Sequence, residues 1–454
     1  MQTPVRPEIF REYDIRGIAG RDLTSDSVEI IGRGIGTLLR RAGKQTITVG
    51  RDCRPSSDGF RDALVSGLGA AGVSVVDIGV VPTPMLYYSI FALPSEGGVM
   101  ITGSHNPSEY NGFKTCIGTE SIHGPRIREI YETIASGDFA SGRGTVSLAD
   151  LLIPYQECIR SSVRVARPVR VALDCGNGTT ALVAPELVRS LGCEVTELYC
   201  DMDGRFPNHH PDPTVEENLR DLQAAVLAGR LELGVAFDGD ADRIGVVDDA
   251  GRILWGDMLM ILFAREILGR RPGATFISEV KCSMNLFAEI ERAGGRAIMW
   301  RTGHSLIKAK MREEQAALGG EMSGHMFFAD RYFGYDDAVY AACRLLEIVA
   351  ASDVPLSRML ADVPATVATP EIRIPCDDER KFAVVDRVRA HFQARYPVID
   401  IDGARIVFPE GWGLVRASNT QDVLVLRFEA RDERSLAAIR AEVEEQVRRE
   451  TEGS

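Results

Sequence analysis

Residues 237–243 read Phe-Asp-Gly-Asp-Ala-Asp-Arg and directly follow an apolar run at residues 233–236. The run predicts a strand, and the pattern after it puts Asp238, Asp240 and Asp242 at alternate positions. Side chains at alternate positions of an extended segment project the same way. Three like charges at one point repel each other unless a cation lies between them, and a hard divalent ion prefers oxygen ligands. The stretch therefore predicts a Mg²⁺ site, with Ca²⁺ as the second choice, and Arg243 adds a positive charge for an anion beside the metal.

Two simpler interpretations of this stretch are available. An acidic surface turn is common because Asp and Gly both favour turns, but it does not explain three alternating aspartates followed by an arginine. An EF-hand loop that began at Asp238 would need Gly at its sixth position and Glu at its twelfth. The sequence has Arg243 and Asp249 there, so we exclude a calcium loop of that type.

A second motif, Thr-Gly-Ser-His-Asn-Pro at residues 102–107, follows a short apolar run at residues 97–101. A serine on a glycine-containing turn is close to backbone N–H groups, which suits Ser104 as a nucleophile or a phosphate carrier. The hydrolase pattern G-x-S-x-G needs glycines on both sides of the serine, and this turn lacks the second one. His105 either activates the serine or is a turn residue, and both interpretations stay open. Lys114, on the next turn, is a cation within reach of a phosphate.

Together the two motifs resemble those of the α-D-phosphohexomutases, and within them the bacterial phosphomannomutase/phosphoglucomutase group. Further matches occur in the family's order over the whole chain, at residues 10–17, 281–283, 302–304, 321–325 and 416–420. One departure is Asp422, which stands where the family usually has a proline after its last loop.

The resemblance implies specific roles for the matching residues. Ser104 carries a phosphate and, with Asp238, Asp240 and Asp242, holds Mg²⁺. The other residues implied in catalysis are Lys114, Arg16, Arg243, His304 and His325. The general base stays open between the two histidines and a cation-assisted path through Arg16 or Lys114. The residues implied in substrate binding are Tyr13, Lys281, Glu321, Ser323, His325, Arg416, Ser418, Asn419 and Thr420.

The chemistry of the last two loops agrees with these roles. Glu321 and Ser323 offer an acceptor and a donor two residues apart, which suits neighbouring sugar hydroxyls, although Glu321 in a simple turn would only cap a backbone N–H. Arg416 supplies a fork-shaped cation that matches a phosphate.

The implied activity is the interconversion of hexose 1-phosphate and hexose 6-phosphate, for mannose and also for glucose. It proceeds through a phosphoserine, with glucose 1,6-bisphosphate as activator and intermediate. The alternatives are a phosphoglucosamine mutase, a catalytically silent sugar-phosphate binding protein and a phosphatase. Met322 favours the mannose/glucose group over the glucosamine enzymes, and a silent binder would need neither Ser104 nor the three aspartates.

Composition and charge narrow the class of protein further. The net charge of −13 over 454 residues gives no electrostatic reason to bind nucleic acid or an anionic membrane, and no apolar run is long enough to span a bilayer. The nine cysteines include no C-x-x-C pair and the N-terminus lacks an apolar core, so we expect reduced thiols and a cytoplasmic protein. We expect small hexose phosphates as partners and a monomer, with an oligomer left open.

Strand and helix patterns alternate through most of the chain and restart near residues 169 and 274, which predicts three similar α/β domains with mixed sheets. From about residue 370 the pattern changes to a smaller α+β domain, and the family architecture places all four domains around one central cleft. The predicted boundaries are 1–149, 150–252, 253–367 and 368–454. They carry, in order, the phosphoserine loop, the metal loop, the sugar-reading loop and the phosphate-binding loop.

Overall fold

The computed structural model describes residues 5–418 and 421–452. Four sheets follow one another along the chain, and helices pack against each of them. The predicted fold class is confirmed: three α/β domains precede a smaller C-terminal α+β domain. The exact domain boundaries stay predictions. We call the parts built on these sheets the first to the fourth domain.

The first domain contains the strand that leads into the serine motif. Its strands are β1 (Ile15–Ile18), β2 (Thr46–Arg51), β3 (Ser74–Val80), β4 (Gly97–Ile101), β5 (Tyr110–Ile117), β6 (Glu120–Ser121) and β7 (Val146–Leu148). Its helices are α1 (Ser25–Arg41), α2 (Ser57–Ala70), α3 (Thr83–Ala92) and α4 (Pro125–Ser136). The sheet order is β1-β5-β4-β2-β3-β7, with β6 on β5. β4 is parallel to β2 and antiparallel to β5, so the sheet is mixed as predicted.

The second domain contains the metal loop. Its strands are β8 (Arg170–Asp174), β9 (Glu194–Leu198), β10 (Leu233–Phe237), β11 (Ile244–Asp248) and β12 (Ile253–Leu254). Its helices are α5 (Leu152–Ser162), α6 (Ala184–Ser190) and α7 (Arg220–Gly229). β10 is buried along its whole length and pairs with β11 antiparallel. The loop at residues 238–243 is therefore the connection of a hairpin that starts in the core.

The third domain follows the same plan. Its strands are β13 (Thr275–Glu279), β14 (Arg296–Trp300), β15 (Leu318–Gly320) and β16 (Met326–Phe328). Its helices are α8 (Gly256–Arg270), α9 (Met284–Arg292), α10 (His304–Glu314) and α11 (Ala338–Ala350). The sheet order is β14-β13-β15-β16, parallel except for the last pair.

The fourth domain has an antiparallel sheet. Its strands are β17 (Val367–Ala368), β18 (Ile372–Pro375), β19 (Val398–Ile399), β20 (Ala404–Phe408), β21 (Gly411–Ala417) and β22 (Val423–Ala430). Its helices are α12 (Asp378–Gln393) and α13 (Glu433–Glu452).

The buried cores show how the domains are joined. One apolar cluster runs continuously from α3 of the first domain through the second and third domains, whereas the fourth domain has a core of its own. The fourth domain meets the third through a small cluster of Val280, Trp412 and Leu414. Within the described parts of the chain, no helix combines the length and the apolar character needed to cross a membrane.

Candidate active site

The serine loop begins where β4 ends. Ser104 is 2% exposed and has a left-handed backbone, with φ of 50°, which is uncommon for a residue other than glycine. Its Oγ donates to Asp238 Oδ2 at 2.9 Å and lies 3.2 Å from His105 Nδ1. Burial and the cations Arg243 and Arg16 hold the pKa of His105 well below its usual range, so its ring is neutral. The structure therefore brings the serine of the first motif onto the first aspartate of the second.

The three aspartates of the metal loop converge as predicted, but on a turn in which Ala241 has φ of 66° and not on an extended segment. Asp238, Asp240 and Asp242 are fully buried, and each offers a carboxylate oxygen within 4.8 Å of the others. Burial and the neighbouring carboxylates raise the pKa of Asp238 well above its usual value. Burial also acts to raise the pKa of Asp242, but Lys114 and His325 outweigh it and hold that pKa well below the usual value.

One atom of this cluster shows that the residues fit a cation. Asp240 Oδ1 is buried and has no hydrogen-bond partner among the described residues, which is costly for a carboxylate oxygen unless a donor or an ion satisfies it. The donors are all carboxylate oxygens, the set that hard divalent ions prefer. A second group with ligand atoms this close consists of Asp242, His325 and Asp336, but its nitrogen donor makes it a poorer match for a hard ion.

Lys114 reaches the aspartates because β5 pairs with β4 and places it opposite Met100. Its Nζ lies 2.8 Å from Asp240 Oδ2 and also contacts Asp242 Oδ2. Burial lowers the pKa of Lys114, but Asp240 and Asp242 outweigh this effect and raise it above its usual value. Thr83 Oγ1 donates to the same Asp240 oxygen at 2.6 Å. A permanent cation thus stands beside the cluster.

Arg16 and Arg243 add two further cations. Arg16 lies on β1, opposite Gly112 of β5, and forms an ion pair with Asp14. Arg243 closes the metal loop, and its Nε lies 3.4 Å from His325 Nε2.

The third domain contributes a buried network around the sugar-reading loop. Glu321 Oε2 lies 2.8 Å from His325 Nδ1, and His325 Nε2 lies 3.3 Å from Asp242 Oδ1. Burial lowers the pKa of His325, but Asp242 and Glu321 outweigh it and raise that pKa to about 9. Burial raises the pKa of Glu321, but its bond to His325 holds it at about 2. Ser323 Oγ lies 3.1 Å from His325 Nδ1.

His304 packs against this network. Its ring stacks on that of His325 with centroids 5.9 Å apart, and burial together with Lys308 and Lys114 holds its pKa well below the usual range. The two histidines therefore differ in charge at neutral pH: His304 is a neutral acceptor, whereas His325 is a cation held between two carboxylates.

The turn before His304 joins three domains. Tyr13 of the first domain donates its O–H to Thr302 O at 2.8 Å, and Asp402 of the fourth domain accepts from Thr302 N at 3.0 Å. Glu321 accepts from Gly303 N at 2.8 Å. Gly303 has φ of 133°, and a Cβ there would lie 2.7 Å from the Tyr13 ring, so both the backbone conformation and the close approach require glycine.

Two predicted phosphate-binding cations are already paired inside the protein. Arg416 Nε lies 3.1 Å from Asp402 Oδ2, and Lys281 Nζ lies 3.2 Å from Glu371 Oε2. Ser418 N donates to Val423 O at 3.0 Å, which keeps the Arg416 loop on the sheet. The predicted residues Asn419 and Thr420 lie outside the described residues.

A continuous series of contacts thus connects most of the predicted residues. It runs from Ser104 through Asp238, Asp242, His325 and Glu321 to the Thr302–Gly303 turn, and then to Asp402 and Arg416. Sequence reasoning missed Asp52, Arg54, Thr83, Asp402 and Glu371. The sequence offered only weak signals for them, because each acts through partners that are remote along the chain.

The chain is similar to known proteins along almost its whole length. Four family models match it in order: "Phosphoglucomutase/phosphomannomutase, alpha/beta/alpha domain I" over residues 7–141, domain II over 153–251, domain III over 255–367 and the C-terminal domain over 371–446.

Curated relatives and solved structures agree with those matches. The phosphomannomutase/phosphoglucomutase of Pseudomonas aeruginosa is 46% identical, with 98% of this chain and 97% of that protein covered. The phosphoglucomutase of Neisseria gonorrhoeae is 46% identical, with 93% of each covered. A crystal structure of a phosphoglucomutase/phosphomannomutase family protein from Burkholderia thailandensis has a TM-score of 0.94 and 42% identity, with 99% of each chain covered.

Proposed function

This chain belongs to the phosphoglucomutase/phosphomannomutase family and is a phosphohexomutase, and from that premise we propose that it interconverts the 1- and 6-phosphates of mannose and glucose through a phosphoserine at Ser104. The observation that carries the proposal is the position of Ser104 Oγ, 2.9 Å from Asp238 in a buried carboxylate cluster. A serine there is held next to a cation site, as a phosphate carrier requires. A serine with only a structural role would not need a neighbouring cation site.

The cofactor we propose is Mg²⁺, held by Asp238, Asp240 and Asp242 together with the phosphorylated Ser104. When bound, it neutralises charge on the phosphoserine. The carboxylate oxygens and the unpartnered Asp240 Oδ1 support this choice. A structural neighbour with 15% identity, N-acetylphosphoglucosamine mutase of Aspergillus fumigatus, was solved with GlcNAc-6P and magnesium.

The proposed reaction consists of two phosphoryl transfers. A free hydroxyl of the hexose monophosphate attacks the phosphorus of the Ser104 phosphate, and the bond from phosphorus to Ser104 Oγ breaks with its electron pair on Oγ. The proton of the attacking hydroxyl passes through a base to Oγ. The product is a hexose 1,6-bisphosphate, which reorients and returns its other phosphate to Ser104 by the reverse of these events. Positioning and positive charge do most of the work in phosphoryl transfer, which suits the cations Arg16, Lys114 and Arg243.

Neutral His304 is suited to accept the hydroxyl proton, whereas His325, a cation between Asp242 and Glu321, supplies positive charge. The sequence also allows His325 itself, or a path assisted by Arg16 or Lys114, as the base. The pH profiles of kcat in the His304→Gln and His325→Gln variants test these alternatives.

We propose that the third and fourth domains hold the rest of the substrate. Glu321 and Ser323 bond sugar hydroxyls, and Tyr13, Lys281 and His325 line the same side of the cleft. Arg416 and Ser418, with Asn419 and Thr420, hold the phosphate that is not reacting. The bidentate geometry of a guanidinium supports the assignment of Arg416.

The proposal extends to the setting of the enzyme. Its partners are small hexose phosphates and not nucleic acid or membranes, glucose 1,6-bisphosphate is its activator, and it works in the cytoplasm as a monomer. Its functional divisions are those predicted at residues 1–149, 150–252, 253–367 and 368–454.

A coupled assay with mannose 1-phosphate, glucose 1-phosphate and glucosamine 1-phosphate, each with Mg²⁺ and a trace of glucose 1,6-bisphosphate, tests the substrate. We expect turnover of the first two sugars. Turnover of glucosamine 1-phosphate alone would show that the enzyme is a phosphoglucosamine mutase. Release of inorganic phosphate without isomerisation would show that it is a phosphatase. Detection of a phosphate on Ser104 by mass spectrometry tests the carrier separately.

A further inference from the structure

We propose that Arg54, with Asp52, is the positioning residue that fixes the phosphoserine loop for transfer; this inference rests on the proposed role of Ser104. Both residues follow β2, which lies next to β4 in the sheet. The Arg54 side chain has no exposed surface and Asp52 is 2% exposed. A buried arginine is rare unless its charge and its donors are satisfied.

The guanidinium of Arg54 is fully hydrogen-bonded, and three of its bonds go to the serine loop. It has five N–H donors in a rigid fork, and the structure gives acceptors to all of them. Nε donates to Asp52 Oδ2 at 3.0 Å, and the Nη atoms donate to backbone carbonyls. The carbonyl acceptors are Ser104 O at 2.7 Å, Asn106 O at 2.6 Å, Tyr110 O at 3.0 Å and Pro107 O.

Asp52 holds the other side of the same loop. Its Oδ2 accepts from Gly103 N at 3.1 Å, and its Oδ1 accepts from Arg54 N at 3.0 Å. The loop is thus held through an N–H before Ser104 and through the carbonyl of Ser104 itself. Gly103 permits this approach, because a Cβ there would lie 2.6 Å from Arg54 Cζ.

The backbone of Ser104 explains why such a clamp matters. A left-handed conformation costs a non-glycine residue free energy and persists only where the surroundings over-determine it. The bond from Arg54 Nη2 to Ser104 O fixes the peptide plane that follows Ser104 Cα. If the backbone relaxed, Ser104 Oγ would move away from Asp238 Oδ2, and the phosphate on it would be misplaced.

The clamp also joins two domains. The Phe206 ring of the second domain covers the guanidinium, with Arg54 Cζ 5.0 Å from the ring centroid. Gly204 packs so closely that a Cβ would lie 2.6 Å from Arg54 Cα. Because the second domain also carries Asp238, Arg54 sets the serine loop relative to the metal loop.

The test is steady-state kinetics of Arg54→Lys, with Arg344→Lys as the matched control. Lysine keeps the charge but cannot supply a planar fork to four carbonyls. Arg344 is equally buried, and both of its Nη atoms bond to acceptors in the third domain and not to the serine loop. We expect Arg54→Lys to lower kcat about 100-fold, the size of effect that a displacement of about 1 Å produces. KM should stay within about 2-fold, because the sugar-binding and phosphate-binding loops are untouched.

The control separates positioning from stability. Arg344→Lys should lower the melting temperature comparably and leave kcat within about 2-fold of the parent, since a merely structural arginine affects folding alone. If Arg54→Lys keeps the parent kcat once folded, or raises KM without lowering kcat, the inference is wrong.

A second variant covers the case in which Arg54→Lys does not fold. Asp52→Asn keeps the size of the side chain but removes the charge and one acceptor, and we expect a smaller fall in kcat, about 10-fold. An unchanged kcat in folded Asp52→Asn would also overturn the inference. The phosphate on Ser104 of the parent enzyme is measured in parallel after incubation with glucose 1,6-bisphosphate: its absence would refute the proposed function itself, whereas its presence with normal kcat in the variants would refute only the role of Arg54.

Discussion

The two ends of the cleft satisfy their charges in different ways. At the transfer end, the side chains of Ser104, Lys114 and the three aspartates are buried and bond to one another. At the recognition end, Arg416 and Lys281 are paired with Asp402 and Glu371, which come from the fourth domain. On the proposed roles, phosphoryl transfer therefore depends on a fixed arrangement of buried groups. Substrate binding instead requires Arg416 and Lys281 to exchange a carboxylate for the anionic substrate. We expect changes at the first end to lower kcat and changes at the second to alter KM.

The largest effect is expected from Ser104→Ala, because it removes the atom that carries the phosphate. The kcat should fall more than about 10⁴-fold, as it does when a covalent nucleophile is lost, while calorimetry should show hexose phosphate binding within about 3-fold of the parent. Ser108→Ala, on the same loop, is the control and should keep the parent rate. Substantial mutase activity in Ser104→Ala would contradict the phosphoserine mechanism.

Asp240→Asn should come next, because it removes a charged ligand from the metal cluster. The affinity for Mg²⁺ should fall at least about 10-fold, the lower end of what losing a mere supporting group costs, and kcat at saturating substrate should fall with it. Magnesium titration of both activity and heat of binding measures this. Asp248→Asn is a suitable control, since Asp248 is equally buried but bonds only the neighbouring turn. Normal Mg²⁺ affinity in Asp240→Asn would place the metal elsewhere.

Arg416→Ala tests the recognition end. A charge-assisted hydrogen bond contributes about 1.5–3 kcal/mol, so KM should rise about 10- to 100-fold for mannose and glucose phosphates alike, with kcat changed little. Arg431→Ala, at the surface of the same domain, should change neither constant. A variant that altered the sugar preference but not the affinity for phosphate would refute the role given to Arg416.

Asp402→Asn should give the smallest effect, and in the opposite direction. Removing the charge weakens the hold on Arg416 and frees it for the substrate phosphate, and the effect stays small because the amide oxygen of the variant still accepts a hydrogen bond from Arg416. We expect KM to fall about 2- to 5-fold, with exposed Asp400→Asn as the unchanged control. A rise in KM would show that the contact of Asp402 with Thr302 N matters more than its competition for Arg416.

Local patterns predicted the elements and the two loops well. The strand predicted at residues 233–236 lies in β10, and the apolar run at 97–101 before the serine motif is β4. The convergence of Asp238, Asp240 and Asp242 was predicted from their alternation, but the structure brings them together through a turn with a left-handed Ala241 and not along an extended segment. The sequence leaves the role of His105 open, and the structure places its ring 3.2 Å from Ser104 Oγ, where Ser104 has a left-handed backbone.

The remaining residues could not be predicted, because their partners are set by tertiary packing. Arg54 sits in a stretch that resembles an ordinary loop, and its four carbonyl acceptors lie 50 or more positions away. The pairing of Arg416 with Asp402 depends on how β19 and β21 flank β20 in the fourth domain. Side-chain chemistry can be inferred from the sequence, but the assignment of one charge to another requires the fold.

The turn at Thr302 and Gly303 has a consequence for how the cleft releases a sugar. Its two peptide groups bond to the first, third and fourth domains separately, and each hydrogen bond contributes only about 0.5–1.5 kcal/mol. The hydrogen bond from Thr302 N to Asp402 of the fourth domain can thus break while Tyr13 still donates to Thr302 O. On the proposed mechanism, loss of the Asp402 bond before the Tyr13 bond would give the bisphosphate room to rotate before it had room to leave.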